Sequence, residues 1–225
     1  MPQKNSASSP PWVALFDLDG TLTWRDTLLP FLRGYLRRHP RRLAGLWRVL
    51  AALAAFAPDR DRGKLKARCI RAVMGGDARA AIDAWAESFV SEMRARQSFR
   101  PTALAVLEAH RAAGDHLVLL SASPDLYVPH IGRLLSFELT LCTEVKWNGD
   151  RLDGALTTPN RRGAEKLRCL ERLRTQYRDL PIIAYGNSAS DLEHLRAADR
   201  ALLVNGDPEA RRLAALFGIP ASSWG

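Results

Sequence analysis

Asp17 and Asp19 stand two residues apart in the segment DLDGT, directly after the apolar run from Trp12 to Phe16. Carboxylates at that spacing can act as nucleophile and proton donor, provided a positive charge offsets their mutual repulsion. A divalent magnesium ion supplies such a charge. Ser121, in LLSASPD, ends a second apolar run. Its hydroxyl, together with backbone N–H groups at the start of a following helix, can hold phosphate oxygens. Lys166, in RRGAEKL, adds a point charge for the same phosphoryl group and restrains the nucleophilic carboxylate. Asn187 and Asp191, in YGNSASD, offer further hard oxygen donors of the kind magnesium prefers. Each motif also has an ordinary structural use: a turn for DLDG, an N-cap for Ser121 and for Asn187-Ser188, a solvated helix face for Lys166. Their joint occurrence, in this order and each at the end of a core element, favours the chemical reading.

The elements that position these residues are legible from periodicity. Four short apolar runs, Trp12 to Phe16, Leu117 to Leu120, Ile182 to Tyr185 and Ala201 to Val204, stop abruptly at polar residues. That pattern suits strands buried on both faces of a parallel sheet. Helical patterns at 102–113, 125–135, 164–177, 189–198 and 208–217 alternate with them, as expected of βαβ units. In such open α/β sheets ligands bind beyond the carboxyl ends of the strands, where the polar residues lie. Residues 26–100 break the alternation with helical periodicity punctuated at Pro40, Ala57-Pro58 and Gly75-Gly76 into approximately four helices. Residues 140–157 read as a hairpin turning near Asn148-Gly149. The expected organisation is a loose polar tail over 1–11, an α/β core over 12–23 and 101–225, and a helical cap inserted over 24–100.

On these motifs the chain resembles the haloacid dehalogenase superfamily, in its phosphoserine-phosphatase-like branch with a helical cap. The resemblance covers nearly the whole chain after residue 11 and implies an α/β Rossmann-like core with a parallel sheet. It implies a magnesium-dependent phosphatase in which Asp17 forms an aspartyl-phosphate. Asp19 then protonates the leaving group and afterwards activates water. Magnesium is held by Asp17, the backbone carbonyl of Asp19 and the first position of the fourth motif, Asn187, with Asp191 orienting a metal-bound water. Ser121, the backbone of Ala122 and Lys166 hold the phosphoryl group. The family usually has aspartate where this chain has Asn187, which removes one negative charge and weakens metal affinity. A degenerate, inactive member is the alternative this departure opens. Asp19 argues against a dehalogenase, since dehalogenases of the family lack the second aspartate of the first motif.

Composition narrows the partners. Three scattered cysteines, Cys69, Cys142 and Cys169, form neither a disulfide framework nor a CxxC pair, and the N-terminal residues carry no apolar signal-peptide core, so a cytoplasmic location is expected. The net charge of +9 favours anionic partners, and residues 24–62 concentrate nine arginines against three aspartates. No aromatic-basic nucleic-acid motif accompanies the charge, so nucleic acid is not expected; the substrate is expected to be a small phosphorylated metabolite. Asp26, nine residues after Asp17, lies where amino-acid phosphatases of the family read their substrate, and it equally suits a helix cap. The stretch 43–57, LAGLWRVLAALAAFA, is too short to span a bilayer. Its leucine stripe at 43, 46, 50 and 53 with Trp47 fits the core of the cap, the preferred reading. With its flanking arginines it also fits peripheral contact with an anionic membrane at the inner surface. This second arrangement resembles bacterial phosphatidylglycerophosphate phosphatases of the same branch, making a lipid head group the alternative substrate.

Overall fold

The computed structural model describes residues 10–56 and 60–225, without the side chains of Leu46, Leu50 and Ala52. Nine residues of the expected tail and the Ala57-Pro58 break lie outside the described set. Six strands form one parallel sheet: β1 (Val13–Phe16), β2 (His116–Pro124), β3 (Leu139–Thr143), β6 (Ile182–Gly186), β7 (Arg200–Val204) and β8 (Ala221–Ser222), in the order β3-β2-β1-β6-β7-β8. β1 is central, which explains why VALF has no polar residue. Alternation along it sends Ala14 and Phe16 to one face and Val13 and Leu15 to the other. Helices α5 (Pro101–Ala113) and α6 (Val128–Leu134) cover the first face. The second is covered by α7 (Ala164–Gln176), α8 (Leu192–Ala197) and α9 (Pro208–Leu216).

Among the described residues four α-helices lie between β1 and α5: α1 (Leu28–Arg38), α2 (Leu46–Ala54), α3 (Arg62–Met74) and α4 (Arg79–Ala95). The chain leaves the core and returns to it side by side. Trp24 N donates to Ser98 O, Arg100 N donates to Leu22 O, and Thr23 and Phe99 form an antiparallel bridge. Phe31 of α1 and Phe89 of α4 pack on Tyr127, just before α6, at 4.5 and 5.5 Å between ring centroids. Aromatic contact thus fastens the helical insertion to the sheet's own helix layer.

The expected hairpin is only partly as read. Residues 139–143 belong to the main sheet as β3, and the antiparallel pair is β4 (Val145–Asn148) with β5 (Arg151–Leu156). A buried strand and a hairpin arm ran together in the sequence because Glu144 alone separates them. The hairpin docks on the cap helices. Gly76 N donates to Leu152 O, Arg79 N to Asp150 O, and the Arg79 guanidinium stacks 3.9 Å over Trp147. The Gly75-Gly76 break is therefore a seat for the hairpin as well as a helix stop.

The cap-core expectation for the 43–57 stripe also needs correction, because Leu43, Trp47 and Leu53 are all exposed. Within α2 it is Val49 that packs against the buried cluster, and the side chains of Leu46 and Leu50 lie outside the described set.

His194 of α8 is buried with an unpartnered Nδ1, and burial, reinforced by the Lys166 charge, pushes its pKa from 6.5 down to about 3. Below pH 6.5 the unfolded chain takes up a proton that the folded chain refuses, so stability is lost as pH falls toward 3. Going from about pH 7 to about pH 5 should cost about 2 kcal/mol through this residue. Urea unfolding at the two pH values measures it, and His194→Leu should remove that part of the difference.

Candidate active site

Asp17 leaves the end of β1 with its backbone N–H bonded to Tyr185 O at 3.0 Å, which fixes the carboxylate beyond the strand end. Its Oδ2 accepts from Thr21 Oγ1 at 2.9 Å and its Oδ1 from Lys166 Nζ at 2.6 Å. Lys166, in the first turn of α7, donates also to Asp191 Oδ1 at 2.7 Å. All three side chains are buried. Burial opposes the lysine's charge, but the two carboxylates outweigh it and raise its pKa. Burial is the largest influence on Asp191 and opposes its charge, but the Lys166 charge, His194 and the hydrogen bonds from Lys166 and Ser188 together hold it ionised, well below the usual carboxylate range. Asp17, with burial its largest influence and Lys166 acting against it, is raised to about 6.

Asp191 also organises the loop after β6. Its Oδ2 accepts from Asn187 N at 3.1 Å, Ser188 N at 2.9 Å and Ser188 Oγ at 2.8 Å. Gly186 makes this approach feasible, since a Cβ there would stand 2.7 Å from the Asp191 Cβ. The Asn187 amide lies across Gly20, whose φ of +81° suits glycine and whose missing Cβ would sit 2.0 Å from Asn187 Nδ2. No polar group bonds that amide among the described residues, so its oxygen is free to serve as a ligand.

Asp19 points toward the cap. Its Oδ1 accepts from Thr27 N at 2.8 Å and Thr27 Oγ1 at 2.7 Å, and its Oδ2 from Ser123 Oγ at 2.6 Å. Burial, followed by the nearby Asp26 charge, raises its pKa despite these bonds. Asp26 accepts from Leu28 N at 3.0 Å, so it caps α1, and it lines the cavity too.

Ser121 is fully buried and is not among the residues lining the cavity; its Oγ accepts from Ser123 N at 3.0 Å and so supports the loop that does. The expectation that it opens a helix is corrected here: β2 runs on to Pro124 and α6 starts only at Val128. Extended backbone, with an irregular register against β3 between Leu120 and Pro124, presents this loop.

Asp17, Asp19, Asp26, Ala122, Lys166, Asn187 and Asp191 line one cavity of about 160 Å³. Sequence reasoning missed Ser123, Asn160, Arg162 and, from the cap, Arg62 and Lys66. Lys66 Nζ donates to Ala122 O and, at 2.5 Å, to Asn160 Oδ1, so the cap is tied to two core loops across the site. Burial pushes the Lys66 pKa down to about 8, although Asp19 and Asp26 oppose it. The i, i+4 spacing after Asp61, which caps α3, puts Arg62 and Lys66 on one helix face, but nothing in the sequence places that face over the site.

The haloacid dehalogenase-like hydrolase family matches residues 14–196, spanning every one of these core motifs. The chain belongs to that family. Protein CicA of Caulobacter vibrioides is 37% identical over 201 residues, covering 88% of each chain. A protein of unknown function from Bordetella pertussis Tohama I has the same fold, with a TM-score of 0.80 at 22% identity over 96% of this chain and all of that one. A probable phosphoserine phosphatase from Vibrio cholerae gives 0.68 at 17% identity, over 96% of this chain and 62% of that one. The fold is thus shared with both of these structures.

In a hydrolase of this family, a buried lysine between two carboxylates should be hard to remove. Lys166→Met leaves Asp17 and Asp191 facing each other without a counter-charge, and should destabilise the fold by about 3–5 kcal/mol in urea unfolding. Combining it with Asp191→Asn should recover part of that loss.

Proposed function

We propose that the chain is a magnesium-dependent phosphomonoester hydrolase that works through an aspartyl-phosphate on Asp17. The carrying observation is the Asp17 carboxylate, fixed at the end of β1 by Lys166 and Thr21 and opening on a cavity with a second, separately held carboxyl group at Asp19. Lys166 favours the ionised nucleophile, while the raised pKa of Asp19 suits a proton donor. An Asp17 oxygen attacks phosphorus as the bond to the leaving alcohol breaks, and the Asp19 carboxyl gives its proton to that oxygen. Asp19, now a carboxylate, takes a proton from water as the water oxygen attacks phosphorus, releasing inorganic phosphate and restoring Asp17.

The donor set fits magnesium. Asp17, the Asp19 backbone carbonyl and the free Asn187 amide are hard oxygen donors at one cavity, whereas no trio of His, Cys, Asp or Glu side chains converges as a soft or closed metal site among the described residues. Bound there, the ion would neutralise charge on the phosphoryl oxygens. Asp191, with both oxygens engaged, contributes by fixing Lys166 and the Asn187-Ser188 turn. Ser123, Ala122 and Lys166 line the cavity where the phosphoryl group would sit, and Ser121 would act through its hydrogen bond to Ser123 N.

Arg62, Lys66 and Arg162 stand at the same cavity beyond the charges that the phosphoryl chemistry uses. They favour a small metabolite whose alcohol portion carries an anionic group of its own. Asp26 adds a site for a cationic substituent.

Asp17→Asn should abolish turnover of a phosphomonoester while the thermal transition stays put, and Asp19→Asn should slow it by about 10²–10⁴-fold. Chelation by EDTA should stop the wild type, and magnesium should restore it. A panel of phosphorylated metabolites with phospholipid head-group phosphates included identifies the alcohol. On anionic substrates Arg162→Ala should raise KM by about 10–100-fold, with little change on para-nitrophenyl phosphate. Steady-state kinetics check both, and turnover by Asp17→Asn would remove the covalent mechanism.

A further inference from the structure

Residues 27–58 contain six arginines and no acidic residue. The fold uses two of these charges internally. Arg38 pairs with Glu92 at 2.7 Å and lies over the Trp85 ring, and Arg42 pairs with Asp77. Arg33, Arg37, Arg41 and Arg48 are exposed, and no acidic side chain pairs with them among the described residues. The same stretch of chain, running from α1 through the short helical turn Pro40–Gly45 into α2, carries the largest group of exposed apolar side chains in the cap: Leu29 at 71%, Trp47 at 62%, Leu53 at 49% and Leu43 at 48%. Scattered single apolar residues need no explanation, but four within residues 29–53, interleaved with arginines that no carboxylate pairs, do.

We propose that the α1–α2 face of the cap seats on an anionic bilayer surface. Charge complementarity selects this occupant. A second copy would bring the same four unpaired arginines against these four, and a nucleic-acid backbone would satisfy the guanidinium groups while leaving Leu29, Leu43, Trp47 and Leu53 in water. A bilayer interface supplies anionic head groups and an apolar layer within one side-chain length, and it is where a tryptophan ring is best accommodated. Arg48, 5.3 Å from the Trp47 ring centroid, places a cation at the level where head-group phosphates lie. The contact is peripheral, since no helix among the described residues is long and apolar enough to cross a membrane. The surface also adjoins the cavity along the chain: Leu28 lines the catalytic pocket, and Leu29 is already outside. This docking does not depend on the phosphatase reading, because nothing in it requires turnover.

The test is sedimentation of the full chain with vesicles of phosphatidylcholine, with and without phosphatidylglycerol. The wild type should bind only the phosphatidylglycerol vesicles, and added salt should weaken the binding. Each of Arg37→Gln and Arg41→Gln should lower affinity by about fivefold. Trp47→Ser should release the protein from the vesicles while leaving the melting temperature and hydrolysis of para-nitrophenyl phosphate unchanged. Absence of binding to phosphatidylglycerol vesicles overturns the proposal, as does binding that Trp47→Ser does not alter. A wild-type dimer dissociated by Trp47→Ser, with no vesicle binding, assigns the face to self-association and equally overturns it. Loss of enzymatic activity in the wild type would leave the binding result standing.

Discussion

One buried ammonium group holds the site together. Lys166 reaches from α7 to Asp17 after β1 and to Asp191 after β6, so three elements that never touch in sequence meet at a single nitrogen. Two carboxylates buried this close would repel strongly and take up protons without it. With it, Asp191 stays ionised and organises the Asn187-Ser188 turn, which in turn rests on Gly20 of the first motif. The parallel sheet supplies the strand ends; the lysine makes their convergence electrostatically tolerable.

The second constraint lies between core and cap. Asp19 is gripped by Thr27, the residue that introduces α1, and Thr27 Oγ1 in turn lies 2.8 Å from the hydroxyl of Tyr127, against which Phe31 and Phe89 pack. The group suited to donate a proton is therefore anchored by the cap's own aromatic contacts. On the other side the hairpin β4–β5, a core excursion, holds the Gly75-Gly76 break by main-chain hydrogen bonds. The cap is fastened to the sheet domain by elements contributed from both.

How much of this was legible in the sequence follows from the physics of each residue. β1 and β6 were readable because a central parallel strand tolerates no polar residue until it ends, and that ending is where Asp17 and Asn187 appear. The parallel sheet and the helices that cover it followed from the same alternation. Ser123, Asn160 and Arg162 were not readable, because nothing local distinguishes a loop residue that faces a cavity from one that faces water. Arg62 and Lys66 were hidden in a basic helix for the same reason, their role created only by the cap's placement over Ala122 and Asn160. The apolar stripe on α2 misled in the opposite direction. Helical amphipathicity shows that a face seeks an apolar environment, and it does not say whether the protein itself provides one.

Lys66 spans the gap from α3 to the Ala122 carbonyl and the Asn160 amide, at the loop that surrounds the place for the phosphoryl group. An arriving anion competes for that ammonium with two neutral oxygens, and a charged acceptor is the stronger partner. Ligand capture and loosening of the cap's tether thus become a single exchange of partners. The clamp at rest thus occupies the group that an incoming anion would seek, and departure of that anion would return the lysine to its backbone acceptor.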